Sequence, residues 1–277
     1  MKKRDLARIA DALERLSPPP AAAADLTAHP AYVWDGGLRA ARAFDPVPFD
    51  LLHGIDPQKA ALATNLDRLA NGLPAHDVLL WGARGTGKSA VVKAAVAKVQ
   101  DAGGGLALIE AAGTALDTLP ALFAAIAPIA RAFAIFVDDL GFDGGGEGPR
   151  RLRSLLEGGA EARPANARLL VTANRRHIVP RDMAEQQDAI SARDVMDDKL
   201  ALADRFGLSL GFHVVDQPTY LAIVEGYAAA HGLPFDAMDA IGWATTRGSR
   251  SGRVAWQYVV ELAGREGKAM TETGRRR

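Results

Sequence analysis

Val78-Leu79-Leu80-Trp81-Gly82-Ala83-Arg84-Gly85-Thr86-Gly87-Lys88-Ser89 decides the reading of this chain. A short apolar run ends in Gly, four residues later comes Gly-Lys-Ser, and a helical pattern follows from Ser89 to Gln100. The run 82–89 matches the full phosphate-binding P-loop pattern. Its four fixed positions coincide by chance on the order of once in ten thousand sites. Glycines let backbone N–H groups turn inward around phosphates where side chains would obstruct. The helix beginning near Lys88 aims its positive end at the same anion. Lys88 can reach the β- and γ-phosphates, and the Ser89 hydroxyl can bind Mg²⁺. Gly82, Ala83, Arg84, Gly85, Thr86, Gly87, Lys88 and Ser89 are therefore the predicted nucleotide-binding residues.

Outward from the loop, short apolar runs alternate with helical stretches. Strands are predicted at Asp77 to Trp81, Leu106 to Ile109, Phe133 to Val137, Leu169 to Thr172 and Leu208 to Val214. Helices are predicted at 57 to 71, Leu116 to Arg131 and about Pro149 to Leu156. Strands alternating with helices predict a parallel α/β sheet covered on both faces. After Asp216 the pattern is wholly helical, at Pro218 to His231, Pro234 to Thr245 and Arg250 to Glu266, which predicts a small C-terminal subdomain. Residues 30 to 57, rich in Pro, Gly and aromatics, read as an extended approach to the core. Leu6, Ile9, Leu13 and Leu16 mark an amphipathic helix over 3 to 16 that packs on its own chain or docks a partner; Pro18, Pro19 and Pro20 end it. The resulting division is 1–29, an N-terminal helix and linker; 30–215, the α/β nucleotide-binding domain; 216–267, the helical subdomain; and 268–277, a basic tail.

Phe133-Ala134-Ile135-Phe136-Val137-Asp138-Asp139 is an apolar strand ending in two carboxylates. It lies far enough after Lys88 for one strand and one helix to intervene. A carboxylate at the tip of an adjacent strand can hold Mg²⁺, directly or through water, and that role falls to Asp138. Asp139 can then orient an attacking water. The competing reading is a strand end capped by solvated acids.

Composition sets the remaining bounds. With 33 basic and 33 acidic residues the formal net charge is zero, which excludes a bulk basic field for gripping nucleic acid but not a local patch. The absence of cysteine excludes disulfides and thiolate metal sites. No run approaches the roughly 18 apolar residues of a membrane helix, so the expected location is the cytoplasm, with no membrane partner.

The order of these parts resembles the AAA+ ATPases. That family has a P-loop, an acidic strand end, a polar sensor 1 on the next strand, an arginine finger, and a sensor 2 arginine in a helical lid. Leu169-Leu170-Val171-Thr172-Ala173-Asn174, Asp204-Arg205-Phe206-Gly207 and Arg247-Gly248-Ser249-Arg250-Ser251-Gly252-Arg253 fall in the corresponding order. His76 to Lys93, Leu155 to Pro164, Thr172 to His177, Leu202 to His213 and Thr245 to Val254 resemble more closely a bacterial group catalogued as domain of unknown function family 815. The resemblance covers about residues 30 to 267.

It implies an AAA+ α/β core with a helical lid, binding ATP and Mg²⁺ and acting as an oligomer on an unidentified protein or nucleic-acid client. By position, Asn174 resembles sensor 1 (or is a strand-end turn residue) and Arg205 resembles the arginine finger (or forms an internal salt bridge). Arg253 resembles sensor 2, with Arg250 as the alternative. His53-Gly54-Ile55 resembles the segment bordering adenine, or is an ordinary packed turn. The family commonly has Glu where this chain has Asp139, so slow hydrolysis is expected. An aromatic-Gly pore loop is not evident at Glu110-Ala111-Ala112-Gly113-Thr114. The rival readings are a nucleotide-gated switch with negligible turnover and a P-loop kinase.

Overall fold

A computed structural model describes residues 24–140, 152–156, 163–174 and 204–270. The predicted helix at 3–16 and the basic tail at 275–277 lie outside them.

Seven strands form one sheet: β1 (Ala31–Trp34), β2 (Leu38–Ala40), β3 (Val78–Gly82), β4 (Leu106–Ala111), β5 (Ala132–Val137), β6 (Ala167–Asn174) and β7 (Leu208–Phe212). Their spatial order is β2-β1-β4-β5-β6-β3-β7. All neighbours are parallel except β2, which pairs antiparallel with β1. Strand β5 has every residue buried, as a central parallel strand covered on both faces requires. The chain leaves β3 for β4 on one side of it, and later leaves β6 for β7 on the other. This reversal opens a crevice at the C-terminal end of β3, where ligands of open α/β sheets bind.

Successive strand residues point to opposite faces, and the sheet has two separate cores accordingly. Val78, Leu80, Phe136 and Leu170 pack under helices α1 (Asp56–Ala70) and α2 (Lys88–Asp101), against Leu62, Leu66, Val92 and Val96. Leu79, Ile135, Val137 and Val171 belong to the opposite core, with Leu119, Leu122 and Ile126 of α3 (Leu119–Ile126). A third core, centred on Tyr220, Val224, Tyr258 and Val259, joins α4 (Gln217–Ala230), α5 (Ala237–Thr246) and α6 (Gly252–Arg265).

The largest departure from expectation is the segment at 30–57. It holds β1 and β2, so the sheet has seven strands and not five. At four and three residues these strands are too short for alternation to register in sequence. Tertiary contacts fix them: Tyr32 pairs with Ile109 in register, and the Trp34 indole donates to Thr118 Oγ1 at 2.9 Å.

Helix boundaries shift for local reasons. Helix α3 starts at Leu119 and not Leu116, because Pro120 sits in its first turn and a 3₁₀ segment, Gly113–Thr118, precedes it. Asp236 and Ser251 cap α5 and α6 by accepting from Asp239 N and Val254 N, which starts these helices three and two residues later than predicted. Strand β7 ends at Phe212, two residues short of the predicted Val214.

Candidate nucleotide site

The loop between β3 and α2 is shaped by glycines whose conformations no other residue adopts without strain. Gly82 has φ +146°, and a Cβ there would lie 2.0 Å from the Phe212 carbonyl oxygen of β7. Gly85 has φ +76°, and its Cβ would meet the Ser251 side chain at 2.8 Å. The loop is thus pressed between β7 and the start of α6, whose Gly252 N–H donates to Gly85 O at 3.2 Å.

Lys88 opens α2 with its side chain turned back into the loop. Its ammonium donates to Gly82 O at 2.9 Å and Ala83 O at 2.7 Å. Burial lowers the Lys88 pKa, Asp138 and Asp139 oppose that shift, and Arg84 adds to it. A desolvated ammonium poised above carbonyl dipoles gains strongly from a polyanion placed beside it.

The acidic strand end and the sensor strand meet next to Ser89 in one hydrogen-bonded chain. Ser89 Oγ donates to Asp138 Oδ1 at 2.7 Å, and Thr172 Oγ1 donates to the same oxygen at 2.5 Å. The Asp139 amide donates back to Thr172 Oγ1 at 2.7 Å. Asn174 Nδ2 donates to Asp139 Oδ1 at 2.6 Å, and Arg84 Nη2 lies 3.6 Å from Asp139 Oδ2. Asp139 has φ +50°, the single non-glycine residue with positive φ among the described residues. Strained backbone of this kind persists where the surroundings over-determine it, often at functional sites. Here Thr172 and Asn174 hold it.

Thr172 is the residue that sequence reasoning missed as a participant. The available signal was a polar side chain, here 1 % exposed, within the apolar run Leu169 to Ala173, two positions before Asn174 and so on its face. We expect Thr172→Val to keep the fold and the volume of the side chain. Losing its donation to Asp138 and its acceptance from Asp139 should slow any phosphate release about tenfold. Steady-state phosphate assays across a Mg²⁺ titration check this, and unchanged curves would remove Thr172 from the site.

A cavity of about 540 Å³ adjoins the loop. Gly54 and Ile55 line one wall, Gly85 to Ser89 the floor, and Arg253 and Trp256 of α6 another wall. The structure therefore gathers Gly54, Ile55 and Arg253 around the loop. Arg250 instead donates to Gln217 Oε1 at 3.4 Å. The loop suits a nucleotide: glycines at positive φ, a buried cation, and a cavity of mixed polar and apolar lining beside them. Ser89 and Asp138, in mutual contact, fit the sparse protein ligation of Mg²⁺, which takes further oxygens from phosphates and water.

Arg205 stands elsewhere. It lines a separate cavity of about 430 Å³ with His76, Asp77, Arg163, Arg168 and Gly207. Asp77, just before β3, pairs with Arg163 at 2.7 Å and accepts from Leu169 N at 2.8 Å near the start of β6. These groups mark the opposite end of the sheet from the P-loop.

Over residues 27–266 the sequence matches the family described as protein of unknown function DUF815. The chain belongs to this family. Comparison with curated proteins gave no match. Among solved structures, the DUF815 chain is similar to Thermotoga maritima RuvB, a Holliday junction branch migration motor. The TM-score is 0.54 at 16 % identity, over 81 % of this chain and 68 % of that one. It is also similar to Aeropyrum pernix ORC1 in complex with DNA, with TM-score 0.53 and 16 % identity, over 85 % of this chain and 68 % of that one. The DUF815 chain has the AAA+ P-loop NTPase fold, with the predicted parallel sheet and a helical C-terminal region.

Proposed function

We propose that this protein binds ATP with Mg²⁺ at residues 82–89 and hydrolyses it slowly. The observation that carries this reading is the continuous chain Ser89–Asp138–Thr172–Asp139–Asn174 beside the Lys88 ammonium. It brings the Ser89 hydroxyl, two carboxylates and an amide together beside the 82–89 loop. When bound, Mg²⁺ would neutralise charge on the phosphates from Ser89 and Asp138. Lys88 and the loop amides hold the β- and γ-phosphates. Asp139, fixed by Asn174, orients water for attack on the γ-phosphorus. Catalysis of this kind rests on positioning and charge neutralisation.

The α4–α6 subdomain acts as the lid, with Arg253 as sensor 2 on the phosphates. Arg205 acts as an arginine finger toward a second copy, which makes the working form a homo-oligomer. ATP turnover drives remodelling or loading of a macromolecular client. RuvB and ORC1, whose names carry a Holliday junction and DNA, favour a nucleic-acid client. No helix among the described residues is long and apolar enough to cross a membrane, which accords with a cytoplasmic setting.

One observation favours a second reading, a nucleotide-gated switch. Asp139 is a short carboxylate that already engages Asn174 and Arg84, which restrains its reach toward water. Phosphate release from ATP, with and without Mg²⁺, separates the two. Asp138→Ala is expected to abolish the Mg²⁺ dependence of binding and turnover. Tight ATP binding with no release of phosphate at any protein concentration would favour the switch.

A further inference from the structure

Arg84 sits within the 82–89 loop, yet its side chain leaves the loop for the tip of β5. Its Nη2 lies 3.6 Å from Asp139 Oδ2, and the two side chains are 82 % and 59 % exposed. That distance is beyond a hydrogen bond, and an ion pair so open to water shifts an equilibrium by about fivefold at most. The other oxygen of the carboxylate is held separately: Asp139 Oδ1 accepts from Asn174 Nδ2 at 2.6 Å. Arg84 therefore rests on the oxygen that Asn174 leaves open, and a stronger anion can draw it away.

The neighbouring groups locate that anion. In loops of this pattern the lysine contacts the β- and γ-phosphates, and a hydroxyl and a strand-tip carboxylate serve the Mg²⁺ that bridges them. Here the Ser89 hydroxyl and Asp138 are in contact at 2.7 Å, and Asp139 follows Asp138 directly. The third phosphate of a nucleotide thus falls on the Asp139 side of Lys88 and Ser89, beside the Arg84 guanidinium. The first two phosphates stay over the loop amides. Arg84 and Lys88 share one electrostatic field, since Arg84 helps to lower the Lys88 pKa. Two cations so placed gain together from an added polyanion, and a guanidinium binds phosphate through paired, charge-assisted hydrogen bonds.

We propose that Arg84 reads the length of the phosphate chain: its guanidinium leaves Asp139 for the γ-phosphate of a bound nucleoside triphosphate and stays on Asp139 when a diphosphate is bound. Arg84 is then a specificity-determining residue of this site, and the inference rests on the nucleotide-binding reading above. The exchange also sets the state of Asp139. With a diphosphate both carboxylate oxygens are engaged, one by Asn174 and one by Arg84. With a triphosphate Oδ2 is open to accept from water, while Asn174 keeps the carboxylate in place. The carboxylate that orients water is released by the same phosphate that the water attacks.

The test is calorimetric binding to the full chain, with Mg²⁺, of ADP and of an ATP analogue whose β–γ bridge is NH and resists hydrolysis. Arg84→Gln is expected to bind the analogue about tenfold more weakly and ADP within about twofold of wild type. Arg84→Lys, which keeps the charge but not the paired donors, should recover part of the loss. Asp139→Asn removes the competing charge. It should tighten analogue binding by about threefold more in the wild-type background than in Arg84→Gln, with no such difference for ADP. Arg84 is a surface side chain, so its variants are expected to melt near the wild-type midpoint. Equal weakening of ADP and analogue in Arg84→Gln would overturn the proposal and make Arg84 a general loop contact. No weakening of either would also overturn it and leave a solvated ion pair. A wild-type chain that binds neither nucleotide would strike at the nucleotide reading itself, and at this inference with it.

Discussion

Arg205→Ala is expected to bind ATP like the wild-type chain and to release phosphate on the order of 10³-fold more slowly, the lower range for loss of a finger supplied in trans. The P-loop lies at the C-terminal end of β3, whereas Arg205 lines a cavity with Asp77, Arg163 and Arg168 at the strands' other end. It cannot serve the phosphates of its own chain without crossing the sheet. A second copy docked by that edge would bring it to the neighbour's nucleotide, where a planar, permanently charged guanidinium suits the transferring phosphoryl group. Turnover per chain should therefore rise with protein concentration as copies associate. Mixing Arg205→Ala with Lys88→Ala should restore part of the activity, because one mixed interface joins an intact loop to an intact finger. Phosphate release across a dilution series, with light scattering alongside, gives the answer. A monomer with concentration-independent turnover and no rescue on mixing would sink the finger assignment and leave Arg205 as a structural cation of its own edge.

Lys88→Ala should weaken ATP binding on the order of 100-fold or more, the scale for removing one partner of a desolvated, hydrogen-bonded charge pair. Lys88 is 8 % exposed and its ammonium is held by two loop carbonyls. Burial lowers its pKa, so holding the charged form costs the unliganded protein stability, and that cost shrinks as pH rises toward the usual lysine range. Removing the side chain is therefore expected to leave thermal unfolding near the wild-type midpoint while binding collapses. Titration of labelled ATP together with a thermal melt separates these effects. Equal affinity in both proteins, or a variant that fails to fold, would refute the balance described.

The contrast between what was legible and what was not follows from the range of the forces involved. The P-loop could be read because its chemistry is local: three glycines, a lysine and a hydroxyl act through a few consecutive peptide units at the joint of one strand and one helix. The strand β5 and its two terminal carboxylates were equally plain, since a strand buried on both faces must be continuously apolar and its tip is where polar groups resume. The β1–β2 edge escaped because a four-residue strand derives its stability from the neighbour it pairs with, β4, 77 residues along the chain by register. Thr172 escaped for a related reason. One hydroxyl in an apolar run is a slight sequence signal, and its two bonds, to Asp138 and to the amide of Asp139, exist only because β6 lies beside β5.

The sequence by itself determined the class of fold, the glycine-rich strand-to-helix loop at 82–89 and the acidic strand end, since each depends on residue type over short stretches of chain. Tertiary structure alone decided which side chains converge on that loop. It brought Asn174 onto Asp139, set Arg253 and not Arg250 in the cavity wall, and placed Arg205 at the opposite end of the strands. These are contacts between elements distant in the chain. Strand order and the docking of α4–α6 decide them, and both depend on how the apolar faces pack together as a whole.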